Sequence, residues 1–240
     1  MGRIITFAQQ KGGAGKTTVL AHLAAAWAET GRTVALIDLD PQRSLTRWAG
    51  LRADPRLALI ESKDYRAAAD MRTAARTHDY VLVDCPGAAS NLLDAAVRES
   101  DLVIAPCQPS VMDVWATANV IAVTERLRTP LRILLNRLPP RGGGVDDAVA
   151  ALGEAQSRLL DTRLGNRVAF SQAVLTGRTA PELTRRSAAA ERRRRRDRRA
   201  ARRGRGRARR LTAAPVLPRA AMPSRGSAWR VSGSGRRSAR

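Results

Sequence analysis

Apolar positions follow two alternating rhythms along this chain. Short, nearly continuous apolar runs recur: Ile4-Ile5-Thr6-Phe7, Leu36-Ile37, Val81-Leu82-Val83, Leu102-Val103-Ile104-Ala105 and the stretch 132–136. Runs of this length bounded by turn residues predict buried strands. Between them lie longer stretches with helical spacing, over 16–29, 44–48, 65–78, 90–98, 111–126 and 146–160. Strand-then-helix alternation predicts the α/β class, with a mainly parallel sheet covered by helices on both faces in three layers. Roughly 190 residues of such text suffice for one well-buried core. No internal repeat is visible, and Pro139-Pro140-Arg141-Gly142-Gly143-Gly144 reads as a flexible surface loop.

The choice of basic residues singles out one loop. Of 43 basic residues only three are lysine, namely Lys11, Lys16 and Lys63. Two of them fall in Lys11-Gly12-Gly13-Ala14-Gly15-Lys16-Thr17-Thr18. A compact ammonium enters a phosphate cradle more readily than the wide guanidinium fork. The loop follows a predicted strand (3–9) and opens a predicted helix (from 17), as a phosphate-binding loop requires. Its glycines let backbone N–H groups converge on phosphate oxygens, and the helix start adds positive potential. On this reading Gly12 to Thr18 cradle the phosphates of ATP. Lys16 neutralises the β- and γ-phosphates, and the Thr17 hydroxyl ligates Mg²⁺. The plainer alternative is a glycine turn with two solvated lysines. A dinucleotide fingerprint fails, because Thr18 stands where its third glycine belongs.

Two further strands end in carboxylates. In Leu36-Ile37-Asp38-Leu39-Asp40-Pro41-Gln42, acids two residues apart on a strand point the same way. Open α/β sheets bind ligands at such strand ends. A helix cap at Asp40 with proline in the first turn is the structural alternative. In Tyr80-Val81-Leu82-Val83-Asp84-Cys85-Pro86-Gly87, the apolar strand ending in Asp84 reads as a holder of Mg²⁺ through water, and Pro86-Gly87 as a turn that senses the γ-phosphate.

The loop has Gln10 where the usual phosphate-loop pattern has glycine, and an early second lysine, Lys11. It resembles the deviant Walker A loop of the ParA/MinD family of P-loop ATPases, in particular the small ParA branch without an N-terminal DNA-binding domain. The resemblance runs through Asp38, Asp40, Asp84 and the segment Gln108-Pro109-Ser110-Val111-Met112-Asp113, and covers about 190 residues. It implies that Lys11 reaches across a nucleotide-sandwich homodimer to the partner's phosphates. It assigns Asp38 to the Mg²⁺ water shell and Asp40 to positioning the attacking water. It also implies that the Asn136 amide reads adenine, although Asn at a strand end is also a common turn former. Further implications are nonspecific DNA binding in the ATP state and stimulation of hydrolysis by a ParB-like centromere-binding protein. A sibling reading is a scaffold ATPase that positions a non-DNA cargo, as a MinD-like timer.

The two cysteines, Cys85 and Cys107, are too few for a disulfide framework. They sit in no context that suggests an iron–sulfur cluster and read as buried small hydrophobes. His22 and His78 receive no role. The N-terminus enters a strand at once and no apolar run is long enough to span a bilayer. The expectation is a cytoplasmic, nucleoid-associated protein without stable membrane insertion.

Charge divides the chain into 1–191, an ATPase domain, and 192–240, an arginine-rich tail expected to be disordered. Residues 191–240 hold 19 arginines against Glu191 and Asp197, a net +17 of the chain's +22. Two readings of the tail stay open: a basic arm that grips nucleic acid through phosphates, or out-of-frame sequence replacing an amphipathic closing helix.

Overall fold

The computed structural model describes residues 1–87, 91–141 and 144–186. The expectations for the tail at 192–240, and for the text leading into it at 187–191, lie outside the described residues. So do parts of the loops at 88–90 and 142–143.

Among the described residues six strands and eight α-helices follow one another, five of the strands and six of the helices where the pattern predicts them. They are β1 (Arg3–Phe7), α1 (Lys16–Glu29), β2 (Val34–Asp38), α2 (Ser44–Arg52), β3 (Leu57–Ile60), α3 (Ala67–Thr77), β4 (Tyr80–Asp84), α4 (Asn91–Glu99), β5 (Leu102–Cys107), α5 (Val111–Leu127), β6 (Leu131–Leu135), α6 (Val145–Ala151), α7 (Val168–Val174) and α8 (Ala180–Arg186). The strands form one sheet in the order β3-β2-β4-β1-β5-β6, and every pairing is parallel.

Neighbouring residues on a strand feed opposite cores, because strand side chains alternate. Ile4, Ala35, Ile37, Val81, Val83, Val103 and Ile133 pack with α3, α4 and α5 through Met71, Leu93, Val97 and Val120. Ile5, Phe7, Leu36, Leu82 and Ile104 pack with α1 and α2 through Leu20, Ala24, Leu45 and Trp48. These two cores are the outer boundaries of the middle layer in the predicted three-layer arrangement. Phe7, Asp84 and Asp38 stand level in the register of adjacent strands. The C-terminal ends of β1, β4 and β2 therefore bring the glycine loop and both strand-end aspartates together.

Besides α7 and α8, which the pattern does not predict, three elements depart from it. The helix expected over 146–160 breaks after α6 into a 3-10 segment, Gly153–Arg158, where Gly153 adopts φ +53°. The helix expected over 65–78 starts with a 3-10 turn, Asp64–Arg66. Edge strand β3 goes beyond what the pattern predicts, because its four residues Leu57-Ala58-Leu59-Ile60 include no strong strand-forming text beyond Ile60.

The last described segment is fastened to α2. Gly177, at φ +66°, lies so close to Leu51 and Arg52 that an added Cβ would meet their backbone at 2.5 Å. Arg52 grips Glu182 with two hydrogen bonds of 3.1 and 3.0 Å, and Glu182 accepts the Thr179 backbone N–H at 2.6 Å. Burial pushes the Glu182 carboxyl up, but the Arg52 and Thr179 hydrogen bonds outweigh it and hold it below its ordinary value. No described helix is long and apolar enough to cross a membrane.

Candidate functional site

The loop leaves β1 through Gln9, whose buried amide is used on both sides. It donates to Pro106 O at 3.1 Å and Thr117 Oγ1 at 2.9 Å, and it accepts the Gln10 backbone N–H at 2.8 Å. Gly12 and Gly13 are exposed, whereas Ala14 is buried. Gly15 closes the loop at φ +98°, and an added Cβ would lie 2.4 Å from Asn136 Nδ2. Both the backbone angle and the close approach demand glycine there. Lys16 opens α1, is 8 % exposed, and donates from Nζ to Gln9 O at 3.2 Å. Its ammonium is thus curled back over the loop's own entry.

Thr17 Oγ1 donates to Asp84 Oδ2 at 2.5 Å. The other Asp84 oxygen, Oδ1, is buried without a partner among the described residues. Burial pushes the Asp84 carboxyl up to about 7; nearby Asp38 and Asp40 push the same way, against Thr17 and Lys16. An orphaned buried carboxylate oxygen beside a threonine hydroxyl is the donor set a hydrated divalent cation fits, and a cation there would favour the charged carboxylate. No cluster of three or more His, Cys, Asp or Glu side chains surrounds a common point among the described residues. Mg²⁺ needs none, since it keeps several of its waters and takes few protein ligands.

Asp38 ends β2, is 3 % exposed, and is held from α2. Its Oδ2 accepts both the Thr46 N–H and the Thr46 hydroxyl at 2.9 Å, and its Oδ1 accepts the Asp40 N–H at 3.2 Å. Asp40 lies beyond the strand, in a turn, so the alternation expected to align the two acids applies only to Asp38. Asp40 Oδ1 accepts the Gln42 N–H at 2.9 Å. It does not cap α2, whose N-cap is Arg43 in the left-handed region at φ 53°. The capping alternative therefore becomes a local turn that steadies the Asp40 carboxylate at the mouth of the site.

Lys11 takes a different path from Lys16. Its Nζ meets Asp113 Oδ2 at 2.5 Å, and the Asp113 side chain is 1 % exposed. Three more bonds join the loop to the segment around α5's N-terminus: Gln9 to Thr117, Asn119 to Gln10 at 2.6 Å, and Gln108 to the Gly13 carbonyl at 3.2 Å.

Asn136 follows β6 and is buried. Its Nδ2 donates to Ala14 O at 2.7 Å and its Oδ1 accepts the Arg137 N–H at 2.9 Å. The amide braces the loop from below, with one N–H and one lone pair left over. Next to it a cleft of about 190 Å³ is lined by Thr18, Asn136, Arg137, Gly165, Arg167 and Phe170. It borders the end of the loop at Gly15 and Thr18. The 164–171 wall of this cleft carries no periodic signal, and sequence reading missed it. Thr46 was missed for the same reason: its contact with Asp38 is set by how α2 returns over β2.

Both cysteines and His22 have structural places. Cys85 and Cys107 are both buried and free, and burial pushes each thiol up. His22, given no role from sequence, ties α1 to α8. Its Nδ1–H donates to Thr18 O at 2.7 Å and its Nε2 accepts the Ala180 N–H at 2.8 Å, which fixes the neutral tautomer. Burial lowers its pKa, consistent with that neutral form.

Known proteins share both the sequence and the architecture. "Maintenance of carboxysome distribution protein A" of Halothiobacillus neapolitanus is 29 % identical over 186 residues, covering 72 % of this chain and 84 % of that protein. "Chromosome-partitioning ATPase Soj" of Thermus thermophilus is 31 % identical over 166 residues, covering 57 % of this chain and 67 % of that protein. The solved ATP complex of a Cyanothece McdA variant superposes with a TM-score of 0.67 at 19 % identity, covering 76 % of this chain and 90 % of that one, and so shares the fold. The model of the CobQ/CobB/MinD/ParA nucleotide binding domain matches residues 5–180. With that match spanning most of the chain, over the loop and carboxylates just described, the protein belongs to this family of ParA/MinD-type nucleotide-binding ATPases.

Proposed function

We propose that this chain is an ATP-dependent dimerising ATPase of DNA partition, hydrolysing ATP to ADP and phosphate. The observation that carries the ATPase reading is the Thr17–Asp84 pair with its orphaned oxygen, placed beside Lys16 at the loop's helical end. Gly12 to Thr18 bind the phosphates through backbone N–H groups, and Lys16 swings from Gln9 O to the β- and γ-oxygens. Thr17, Asp84 and Asp38 would hold Mg²⁺, the two carboxylates through water; when bound it neutralises phosphate charge. Asp40 orients the attacking water from its turn. Lys11 serves the nucleotide of a second copy, and the base occupies the cleft beside Asn136.

The DNA role is supported by the Soj likeness and by charge. The region before the tail carries a small share of the chain's net positive charge, and thirteen arginines lie between Arg192 and Arg210. Such a stretch binds phosphates with or without nucleotide. A ParB-like partner on the cargo would stimulate turnover, and the ADP form would leave DNA. A second reading is positioning of a non-DNA cargo, favoured by the likeness to the carboxysome-distribution protein along most of its length.

Co-sedimentation with DNA, with and without ATP, tests the proposal. ATP-gated DNA binding that a basic DNA-binding partner reverses supports partition. ATP-gated dimers that ignore both DNA and that partner favour the scaffold. Truncation after Glu191 is expected to remove an ATP-independent DNA affinity whose logarithm falls with log salt by roughly 0.9 per phosphate engaged. Tight ATP-gated release in the intact chain would make the tail a working arm, against the out-of-frame reading.

A further inference from the structure

Helix α1 carries the end of the phosphate loop at its start and, one turn later, a contact with the last described segment. His22 Nδ1–H donates to the Thr18 carbonyl at 2.7 Å, and Nε2 accepts the Ala180 N–H at the start of α8 at 2.8 Å. The ring also meets Phe170 of α7, with centroids 4.8 Å apart and planes tilted by 52°. Thr18 and Phe170 both line the cleft beside Asn136. A second, apolar cleft of about 170 Å³ is lined by His22, Leu23, Leu134, Pro181 and again Phe170. Val19, Leu164 and Phe170 line both clefts and so divide them. Further hydrogen bonds fasten 177–182 to α2, from Arg52 to Gly177 O and Glu182 and from Trp48 Nε1 to Arg178 O at 3.3 Å. Among the described residues, none of α2 lines the cleft beside Asn136.

We propose that His22 is a positioning residue for the nucleotide, a clasp that holds Phe170 and the start of α8 against α1 and so keeps one wall of the base cleft in place. The Thr18 carbonyl can only accept and the Ala180 N–H can only donate. The ring therefore needs its proton on Nδ1 and a free lone pair on Nε2, which the neutral tautomer alone supplies. Burial favours that neutral form. The Thr18 bond orients the ring, and the Ala180 bond and the Phe170 contact do the holding. At seven residues α7 is too short to be stable by itself, so Phe170 stays where its neighbours keep it. The inference rests on the reading that the base of a bound nucleotide enters the cleft beside Asn136. Losing the clasp weakens the hold on that base and leaves the hold on the phosphates, which belongs to the glycine loop and Lys16.

Equilibrium binding to the full chain tests the clasp, with MgATP compared against magnesium tripolyphosphate, which carries the phosphates and no base. His22→Asn puts an amide where Nδ1 lies and cannot reach Ala180, whereas the longer side chain of His22→Gln carries an oxygen to the place of Nε2. His22→Asn is expected to bind ATP about fivefold more weakly, the scale of one hydrogen bond, with tripolyphosphate affinity unchanged. His22→Gln is expected to bind both as the unsubstituted chain does. Glu182→Gln loosens α8 from α2 instead, and a lower Tm with unchanged ATP affinity is expected of it. Unchanged ATP affinity in His22→Asn overturns the proposal. So does an equal loss for ATP and tripolyphosphate, or a loss in Glu182→Gln as large as in His22→Asn. A His22→Gln as weak as His22→Asn overturns the part given to the Ala180 bond. Phe170→Ala separates the clasp from the reading beneath it. Full ATP affinity in Phe170→Ala removes the base from this cleft. A loss in Phe170→Ala with none in His22→Asn leaves the base there and removes the clasp. Hydrogen exchange in the unsubstituted chain decides even where a variant does not fold. ATP is expected to slow exchange across 168–180 and tripolyphosphate is not, and a response alike to both overturns the proposal.

Discussion

Around one phosphate loop, the two halves of the sheet's C-terminal edge are built in opposite ways. On the β2–β4 side the chemistry sits at strand ends: Asp38 and Asp84 are level in register and buried, and Asp84 holds the Thr17 hydroxyl. On the β5–β6 side it sits on helix starts and late loops. Asp113 belongs to the first turn of α5, Asn136 lies just past β6, and the cleft wall comes from 164–171. Each side leaves one buried carboxylate oxygen without a partner among the described residues: Asp84 Oδ1, beside the Thr17 hydroxyl where a cation fits, and Asp113 Oδ1, whose neighbouring oxygen already meets the Lys11 ammonium. The β5–β6 side uses its polar atoms to brace the loop itself. Phosphate and cation chemistry thus falls to the strand side, and loop posture and base contact to the helix side.

The largest expected effect tests the shared loop. Lys16→Ala should abolish ATP binding, because the main counter-charge to the phosphates goes, while the apo fold survives loss of a single hydrogen bond to Gln9 O. Equilibrium binding of a fluorescent ATP analogue measures it, and undiminished affinity would move the site away from Lys16. Next comes the strand side alone. Asp40→Ala should bind ATP and self-associate, yet lose turnover by about 10²-fold or more, the usual contribution of a group that handles the attacking water. Phosphate-release assays at saturating ATP decide it, and unchanged turnover would leave Asp40 with only its turn to Gln42.

The helix side should respond differently, in stability before chemistry. Asn136→Ala removes the donor to Ala14 O and the acceptor for the Arg137 N–H. A lost hydrogen bond of this kind costs about 1 kcal/mol, so losing both costs about 2 kcal/mol, a fall in Tm of roughly 4–8 °C for a domain of this size. If Asn136 only braces the loop, ATP and GTP affinities should fall together. If its spare N–H and lone pair also read adenine, the preference for ATP over GTP should collapse. Calorimetry with both nucleotides separates these outcomes.

What was legible in the sequence follows the same division. The strand side announces itself because its residues are consecutive: an apolar run, an acid at its end, and a glycine loop between strand and helix. Asp38, Asp84, Thr17 and the parallel sheet could be named before any coordinates. Asp40 is legible as an acid just past a strand, but its orientation is not, because β2 ends at Asp38 and the alternation stops there. The helix side is written in contacts between residues about 100 positions apart, such as Lys11 with Asp113 and Asn136 with Ala14. No local period encodes those. The 164–167 part of the cleft wall has no regular hydrogen-bonding pattern to betray it, and the break of the predicted 146–160 helix at Gly153 shows how little one glycine in a helical pattern reveals about backbone direction.

The smallest effect sharpens the comparison at two matched positions. Arg43, on the strand side, and Arg137, on the helix side, are both non-glycine residues held in the left-handed region, at φ 53° and 56°. That conformation costs an L-residue about 1–2 kcal/mol, and glycine gives back about half of the relief through its freer unfolded chain. Arg43→Gly and Arg137→Gly should therefore each raise stability by about 0.5 kcal/mol, read as a small rise in the urea midpoint at constant m-value. Arg43 also donates to the Asp38 carbonyl through a long 3.4 Å contact, too weak to reverse the sign. The two variants should part on nucleotide binding. Arg43 points its one described contact at backbone, so its loss should leave ATP affinity unchanged. Arg137 lines the cleft beside Asn136, and its guanidinium can lie against a bound base. Arg137→Gly should gain the same stability and lose ATP affinity severalfold. Equal affinity in both variants would confine the helix side to bracing the loop, and would hand base contact to the backbone of 164–167.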